Sequence, residues 1–197
     1  ALNNDAKFIS DTKITTITPY KKISEYSVNS ETYESYPNRD STPYINEYNF
    51  EKNWKINEFV RGTLRLNGWK EAWAEIFYML DQKSDTLDDQ IAKKSEELWL
   101  KNQYSKNEED RVVLYVKLIA KKNQEDIFNE SYFLDEKGSG ENTAMGKLVS
   151  LTLSASIDLM LKNKLKAGVQ AAPDDPAIIN YYFSVLNQNK IQIKKNI

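Results

Sequence analysis

Asn57-Glu58-Phe59-Val60-Arg61-Gly62-Thr63-Leu64-Arg65-Leu66 runs into Asn67-Gly68, and Trp69, Trp73, Ile76, Phe77 and Leu80 then recur at helical spacing. The first ten residues alternate, so they predict a strand over 57–66. Alternation puts Phe59, Arg61, Thr63 and Arg65 on one face and Val60, Gly62, Leu64 and Leu66 on the other. The stripe that follows predicts an amphipathic helix over 68–81, with the two tryptophans as core anchors. A strand feeding a helix through Asn-Gly is the unit from which the rest of the fold is read.

Outward from this unit the chain is strand-rich. Residues 12–17 and 23–28 alternate and read as strands. The stretch 36–48, with Pro37 and Pro43 among Asn, Asp and Ser, reads as a structured loop. Residues 82–110 are polar and mixed in charge, with one exposed helix suggested by Leu87, Ile91 and Leu98. Strands are expected at 111–119 and 125–134. Gly138-Ser139-Gly140 then makes a turn, and Asn142 is the expected N-cap of a helix over 143–163. On that helix Gly146, Ser150, Ser154 and Asp158 form a small, polar stripe, read as a packing face. A short strand at 165–171, a helix at 176–187 and a last strand at 191–193 close the chain. The expected fold class is α+β, with a mixed, largely antiparallel sheet and helices layered on one face.

Composition excludes several chemistries. There is no cysteine and no histidine, which removes thiol nucleophiles, thiolate metal sites, Ser-His-Asp hydrolysis and most zinc chemistry. No metal site is expected. The net charge of −2 with both signs mixed argues against a nucleic-acid surface. The most apolar stretch, 144–161, is interrupted by Lys147 and Asp158 and reads as a buried helix, so no membrane partner is expected. The first residues carry no secretory pattern, and they lack an initiator Met, so a longer parent protein is expected. There is neither a G-x-G-x-x-G after a strand nor a Walker loop. Gly138-x-Gly140 before a helix is too common a pattern to be read as an anion cradle.

The arginines are the candidate functional residues. Three of the four in the chain, Arg39, Arg61 and Arg65, fall between positions 39 and 65. A guanidinium presents two parallel N–H donors to a carboxylate, which a lysine does not. Arg61, Thr63 and Arg65 share a strand face in the expected geometry, so they suit a site for a carboxylate-bearing small molecule. The opposing reading is that the arginines pair with Asp40 and Glu58 and hold a sheet together.

Several stretches in one order resemble a known family. They are Tyr36-Pro37-Asn38-Arg39-Asp40-Ser41-x-Pro43-Tyr44, Val60-Arg61-Gly62-Thr63-Leu64-Arg65 with Gly68-Trp69 and Trp73, and Thr143-Ala144-Met145-Gly146-Lys147 leading to Leu165-x-Ala167-Gly168-Val169-Gln170. Together with the opening Leu2-Asn3-Asn4-Asp5-Ala6-Lys7-Phe8 they are similar to saccharopine dehydrogenases of the glutamate-forming type; residues 82–142 match only loosely. The resemblance implies a substrate-binding and dimerisation domain over 1–197, similar to the C-terminal domains of glyceraldehyde-3-phosphate and homoserine dehydrogenases. NAD or NADP would be bound mainly by a Rossmann domain outside this chain. The implied reaction oxidises saccharopine to L-glutamate and 2-aminoadipate 6-semialdehyde in lysine metabolism, by a cytoplasmic homodimer. It implies Asn38 and Arg39 at the substrate and Thr63 hydrogen-bonded to it. The residue reading and the resemblance meet at Arg39, Arg61 and Thr63; Arg65, on the same strand face as Arg61, either supports the site or pairs with Asp40 or Glu58. The resemblance names no proton-transfer residue in this chain. Asn67-Gly68-Trp69-Lys70 stands where many relatives have Pro-Gly-Trp-Cys. A carboxyspermidine-type dehydrogenase domain, or a non-catalytic amino-acid-binding or dimerisation module, is the alternative.

Overall fold

The computed structural model describes residues 2, 4–82, 85–105, 108–169 and 172–196. The chain divides into two compact units, Ala1–Tyr104 and Ser105–Ile197. It is an α+β protein, and every strand pair within its sheets is antiparallel. The pairing is shared among three small sheets.

The first unit begins with the hairpin β1 (Ala6–Ser10) and β2 (Lys13–Ile17). A second hairpin, β3 (Ser24–Val28) and β4 (Glu31–Pro37), is extended by β5 (Gly62–Leu66) to the order β3-β4-β5. Both hairpins turn on two residues of left-handed φ, Asp11-Thr12 (49° and 65°) and Asn29-Ser30 (51° and 66°). That pattern is the mirror-image turn whose twist matches the strands it joins. Strands β1 and β4 were not expected from the sequence, because neither turn contains the glycine that usually marks it. Between β4 and β5 lies a short helix, α1 (Tyr44–Glu47), within the expected loop.

The expected continuous strand over 57–66 does not form. Its first half pairs with β1 instead: Ile9 N–H donates to Phe59 O at 3.0 Å, and Phe59 N–H to Ile9 O at 3.1 Å. Its second half crosses to β4, pairing Thr63 with Tyr36 and Arg65 with Glu34. Gly62 sits at the changeover. A β-carbon there would lie 2.7 Å from Ser35 Oγ and 3.3 Å from Tyr36 O, so a side chain at 62 would displace the serine hydroxyl and crowd the β4 backbone. The expected helix over 68–81 breaks at Trp73 into α2 (Trp69–Ala72) and α3 (Ala74–Gln82). Then follows α4 (Leu87–Lys101), the exposed helix expected in the polar stretch.

The second unit is built on the long hairpin β6 (Arg111–Lys122) and β7 (Glu125–Lys137), joined at Asn123-Gln124 with both φ left-handed. Strand β8 (Ile193–Lys195) adds to β7, two residues later than expected. Two helices follow the hairpin, α5 (Ala144–Leu161) and α6 (Pro176–Gln188). Leu134, Leu186 and Ile191 form their buried core, with Val112, Leu148, Leu151 and Ile193 packed against it.

Three further expectations are corrected in this unit. The N-cap of α5 is Thr143, whose Oγ1 accepts Gly146 N–H at 3.0 Å; Asn142 instead bridges back to Ser139. The stretch 165–169 forms no strand, and Gly168 turns it at φ 101°; positions 170 and 171 lie outside the described residues. Helix α5 is buried on one face only. Ala144, Ala155 and Leu159 point inward, whereas Met145, Val149, Leu153, Ile157 and Met160 are exposed. Of the small stripe, Gly146, Ser150 and Ser154 are exposed too, so packing does not account for them; Asp158 is half-buried and accepts from the Tyr181 hydroxyl of α6. By length and composition α5 meets the requirement for crossing a membrane, with 17% of it buried.

Candidate functional site

The arginine region is built on β1. Lys7 N–H donates to Arg39 O at 2.9 Å and Ser41 N–H to Lys7 O at 2.7 Å, which lays the segment after β4 alongside β1. Arg39 adopts a left-handed φ of 54°. That conformation costs a non-glycine residue about 1 kcal/mol. Asn38 N–H donates to Arg61 O at 2.8 Å, and Arg61 N–H donates to the fully buried Ser41 Oγ at 3.0 Å. Two arginine backbones from distant sequence are thereby stitched to one another through Asn38 and Ser41.

The side chain of Arg61 rests on an aromatic ring, and that of Arg65 lies beside two. The Arg61 guanidinium carbon lies 3.7 Å from the Tyr44 ring centroid. That of Arg65 lies 5.6 Å from the Tyr36 ring and 5.7 Å from the Trp69 ring. Arg65 Nη2 also donates to Tyr36 Oη at 3.1 Å. Tyr36 stacks on Trp69 at 5.0 Å, and Trp69 meets Trp73 and Phe77 at 5.5 and 5.2 Å. The two tryptophans are therefore half-buried members of an aromatic ladder, as well as anchors. The β4–β5 register places Thr63 opposite Tyr36, on the face that carries Arg65.

The nearby acids are engaged elsewhere. Asp40 Oδ1 accepts Thr42 Oγ1–H at 2.7 Å and Thr42 N–H at 2.8 Å, and Lys7 Nζ lies 3.6 Å from its other oxygen. The Thr42 hydroxyl, the Thr42 amide and Lys7 hold the Asp40 carboxyl below the usual carboxylate range. Glu34, buried and in register with Arg65, accepts Gly68 N–H at 3.0 Å and Lys70 N–H at 2.6 Å at the start of α2. Glu58 is exposed. Among the described residues no carboxylate is ion-paired with Arg39, Arg61 or Arg65. The fourth arginine behaves differently: Arg111 grips Asp135 with Nε and Nη2, both at 2.7 Å. The reading in which the clustered arginines are sheet-holding ion pairs is not what the geometry shows.

Sequence reasoning found Asn38, Arg39, Arg61, Thr63 and Arg65 as candidates. The Arg61 backbone is bonded to the residues on either side of the Arg39 turn, Asn38 N–H and Ser41 Oγ, and Thr63 and Arg65 share a strand face. Arg61 lies one step before that strand, so it does not belong to the regular alternation that was expected. What the sequence did not reveal is the support under the cations: Tyr44, Tyr36, Trp69, Ser41 and Glu34. The signal for Tyr36 and Tyr44 was present as aromatics flanking Arg39, but pairing them with Arg65 and Arg61 needs the tertiary fold.

The second unit offers little to a cofactor. The N-terminus of α5 follows Gly138-Ser139-Gly140, and the carboxylate of Asp110 occupies it, accepting Ala144 N–H at 2.6 Å and Met145 N–H at 3.0 Å. Helix N-termini can receive a phosphate, and Asp110 closes this one to such use. A shallow hollow lined by Asp135, Glu136, Lys190 and Lys194 has its acids paired with Arg111 and Lys147. Among the described residues no group of acidic side chains converges as a metal-ligand set.

Comparison with known proteins agrees with this architecture. The family model described as the saccharopine dehydrogenase C-terminal domain matches residues 1–191. No curated protein matches the chain in sequence. Among solved structures, the apo, histidine-tagged saccharopine dehydrogenase (L-Glu forming) from Saccharomyces cerevisiae is similar in fold, with a TM-score of 0.74 and 20% identity. The match covers 100% of this chain and 59% of that one.

Proposed function

Because the chain belongs to the saccharopine dehydrogenase C-terminal domain family, a family of oxidoreductases, we propose that it is the substrate-binding part of an NAD- or NADP-dependent enzyme. The enzyme oxidises saccharopine to L-glutamate and 2-aminoadipate 6-semialdehyde. The chain spans 59% of the yeast enzyme's length, and in this reading the cofactor is held by a further domain.

One observation carries the proposal: among the described residues no carboxylate is ion-paired with the clustered arginines, while Arg111 grips Asp135 with two N–H donors. Saccharopine bears three carboxylates. Arg39 and Arg61 each clamp one, Thr63 orients a polar group, and Arg65 stands beside it on the same face. Asn38 contributes at the substrate through its side chain, its backbone N–H being bonded to Arg61. These groups bind and orient; positioning of this kind removes several kcal/mol from a barrier when the reacting atoms are held in line. The protein acts as a homodimer in this reading, and the uncharged outer stripe of α5 supplies apolar surface of the sort such contacts need.

The test is Arg39→Lys in the complete enzyme. A lysine keeps the charge but loses the bidentate fork. The KM for saccharopine is expected to rise at least tenfold, about 1.4 kcal/mol, with the KM for the dinucleotide unchanged. Equal changes in both constants would assign Arg39 a structural role. A variant indifferent to saccharopine but responsive to a carboxylated polyamine would move the enzyme to the carboxyspermidine type.

A further inference from the structure

Tyr36 is held on three sides in the arginine region. It is 4% exposed, its ring is stacked on Trp69 at 5.0 Å, and its hydroxyl accepts the Arg65 Nη2–H at 3.1 Å. A buried tyrosine needs a partner for its hydroxyl, and here that partner is a cation at the rim. Trp69 is itself fixed from below. It opens α2, whose start is held by the Glu34 carboxylate through Gly68 N–H and Lys70 N–H.

Arg65 is exposed. A long, exposed guanidinium loses roughly 2 kcal/mol of rotamer entropy when a ligand freezes it. The Tyr36 hydroxyl and the two rings remove part of that freedom beforehand. They occupy one N–H and one side of the group, and leave the remaining donors for a carboxylate. We infer that Tyr36 is a positioning residue: through its hydroxyl and its Trp69-backed ring it holds the Arg65 guanidinium in the orientation that receives a substrate carboxylate. The inference rests on the proposed reading of this face as the substrate site, and it assigns to Arg65 the carboxylate that Arg39 and Arg61 leave. It adds to that reading a residue that does not itself touch the substrate and that sets how tightly the substrate is held.

The test is Tyr36→Phe in the complete enzyme, which removes one oxygen and keeps the stacked ring. A hydrogen bond to a charged group contributes enough that its loss is expected to raise the KM for saccharopine about tenfold. The kcat and the KM for the dinucleotide stay unchanged, and the melting temperature stays within a few degrees. If Tyr36 acts through Arg65, then Tyr36→Phe combined with Arg65→Ala is no worse than Arg65→Ala alone. Trp69→Leu is a second variant, which removes the backing ring and leaves the hydroxyl, and should raise the same KM about threefold by loss of the cation–π contact. An unchanged KM in Tyr36→Phe, when Arg65→Ala raises it, overturns the positioning role and leaves Arg65 as a ligand. Additive losses in the double variant overturn it as well. An unchanged KM in Arg65→Ala overturns the substrate reading of this face, and this inference with it. A fall in melting temperature with both KM values shifted makes Tyr36 a core residue only.

Discussion

A guanidinium lying on an aromatic ring has one face covered and its N–H edge open. Arg61 over Tyr44 at 3.7 Å is in this state. Replacing Tyr44 by Leu keeps apolar volume under the cation and removes the ring's quadrupole. The expected loss is about 1 kcal/mol, read as a roughly fivefold weaker affinity for saccharopine by calorimetric titration. A loss as large as that of Arg61→Ala would mean that Tyr44 does more than support Arg61. At this scale the sequence singled out candidates and was silent about what engages them. The scarcity of arginine singled out Arg39, Arg61 and Arg65, since the residue type carries the chemistry. That Asp40 is held by Thr42 and Lys7, and Glu34 by the start of α2, depends on turn geometry no periodicity reports.

Among elements, hairpins were the hardest to read and long helices the easiest. The turns at Asp11-Thr12, Asn29-Ser30 and Asn123-Gln124 reach left-handed φ without glycine, so β1 and β4 lacked their usual punctuation. Helices α5 and α6 were legible because their apolar spacing runs over several turns. The start of α5 makes a sharper point. Asp110, just before β6, caps it from across the unit, and the amides of Met145 first and Ala144 second hold its carboxyl below the usual carboxylate range. Because the folded-state pKa is depressed, the unfolded chain binds more protons in acid. The stabilisation is therefore present above the unfolded value, about 3.9, and is lost as pH falls through the lower folded value. Asp110→Asn should lower the melting temperature at pH 7, and the gap from the parent protein should close as the pH is taken below about 4. Thermal melting across that range checks it. A gap independent of pH would show that shape, not charge, makes the cap. Gly138 belongs to the same device: a β-carbon there would fall 2.1 Å from Asp110 Oδ1.

For the whole molecule, the chain separates into two units, the first with two small sheets and the second with one, and each with its own helices. Every candidate ligand residue lies in the first. Hydrogen exchange on the chain with saccharopine should therefore slow amides in β4 and β5 and leave the β6–β7 hairpin at its original rates. Slowing confined to the hairpin would place the ligand elsewhere. The chain carries 29 acidic residues against 27 basic ones, so a vacant cation has many internal rivals for its attention. Glu34 is the nearest of them in the ladder, one strand across from Arg65, and it is turned aside by the two amides it accepts at Gly68 and Lys70. The bend between β5 and α2 thus keeps the Glu34 carboxylate occupied. Were it to slip, the freed carboxylate would be within one strand of Arg65, and in the proposed reading it would compete there with an acidic guest while the outline of the protein stayed intact.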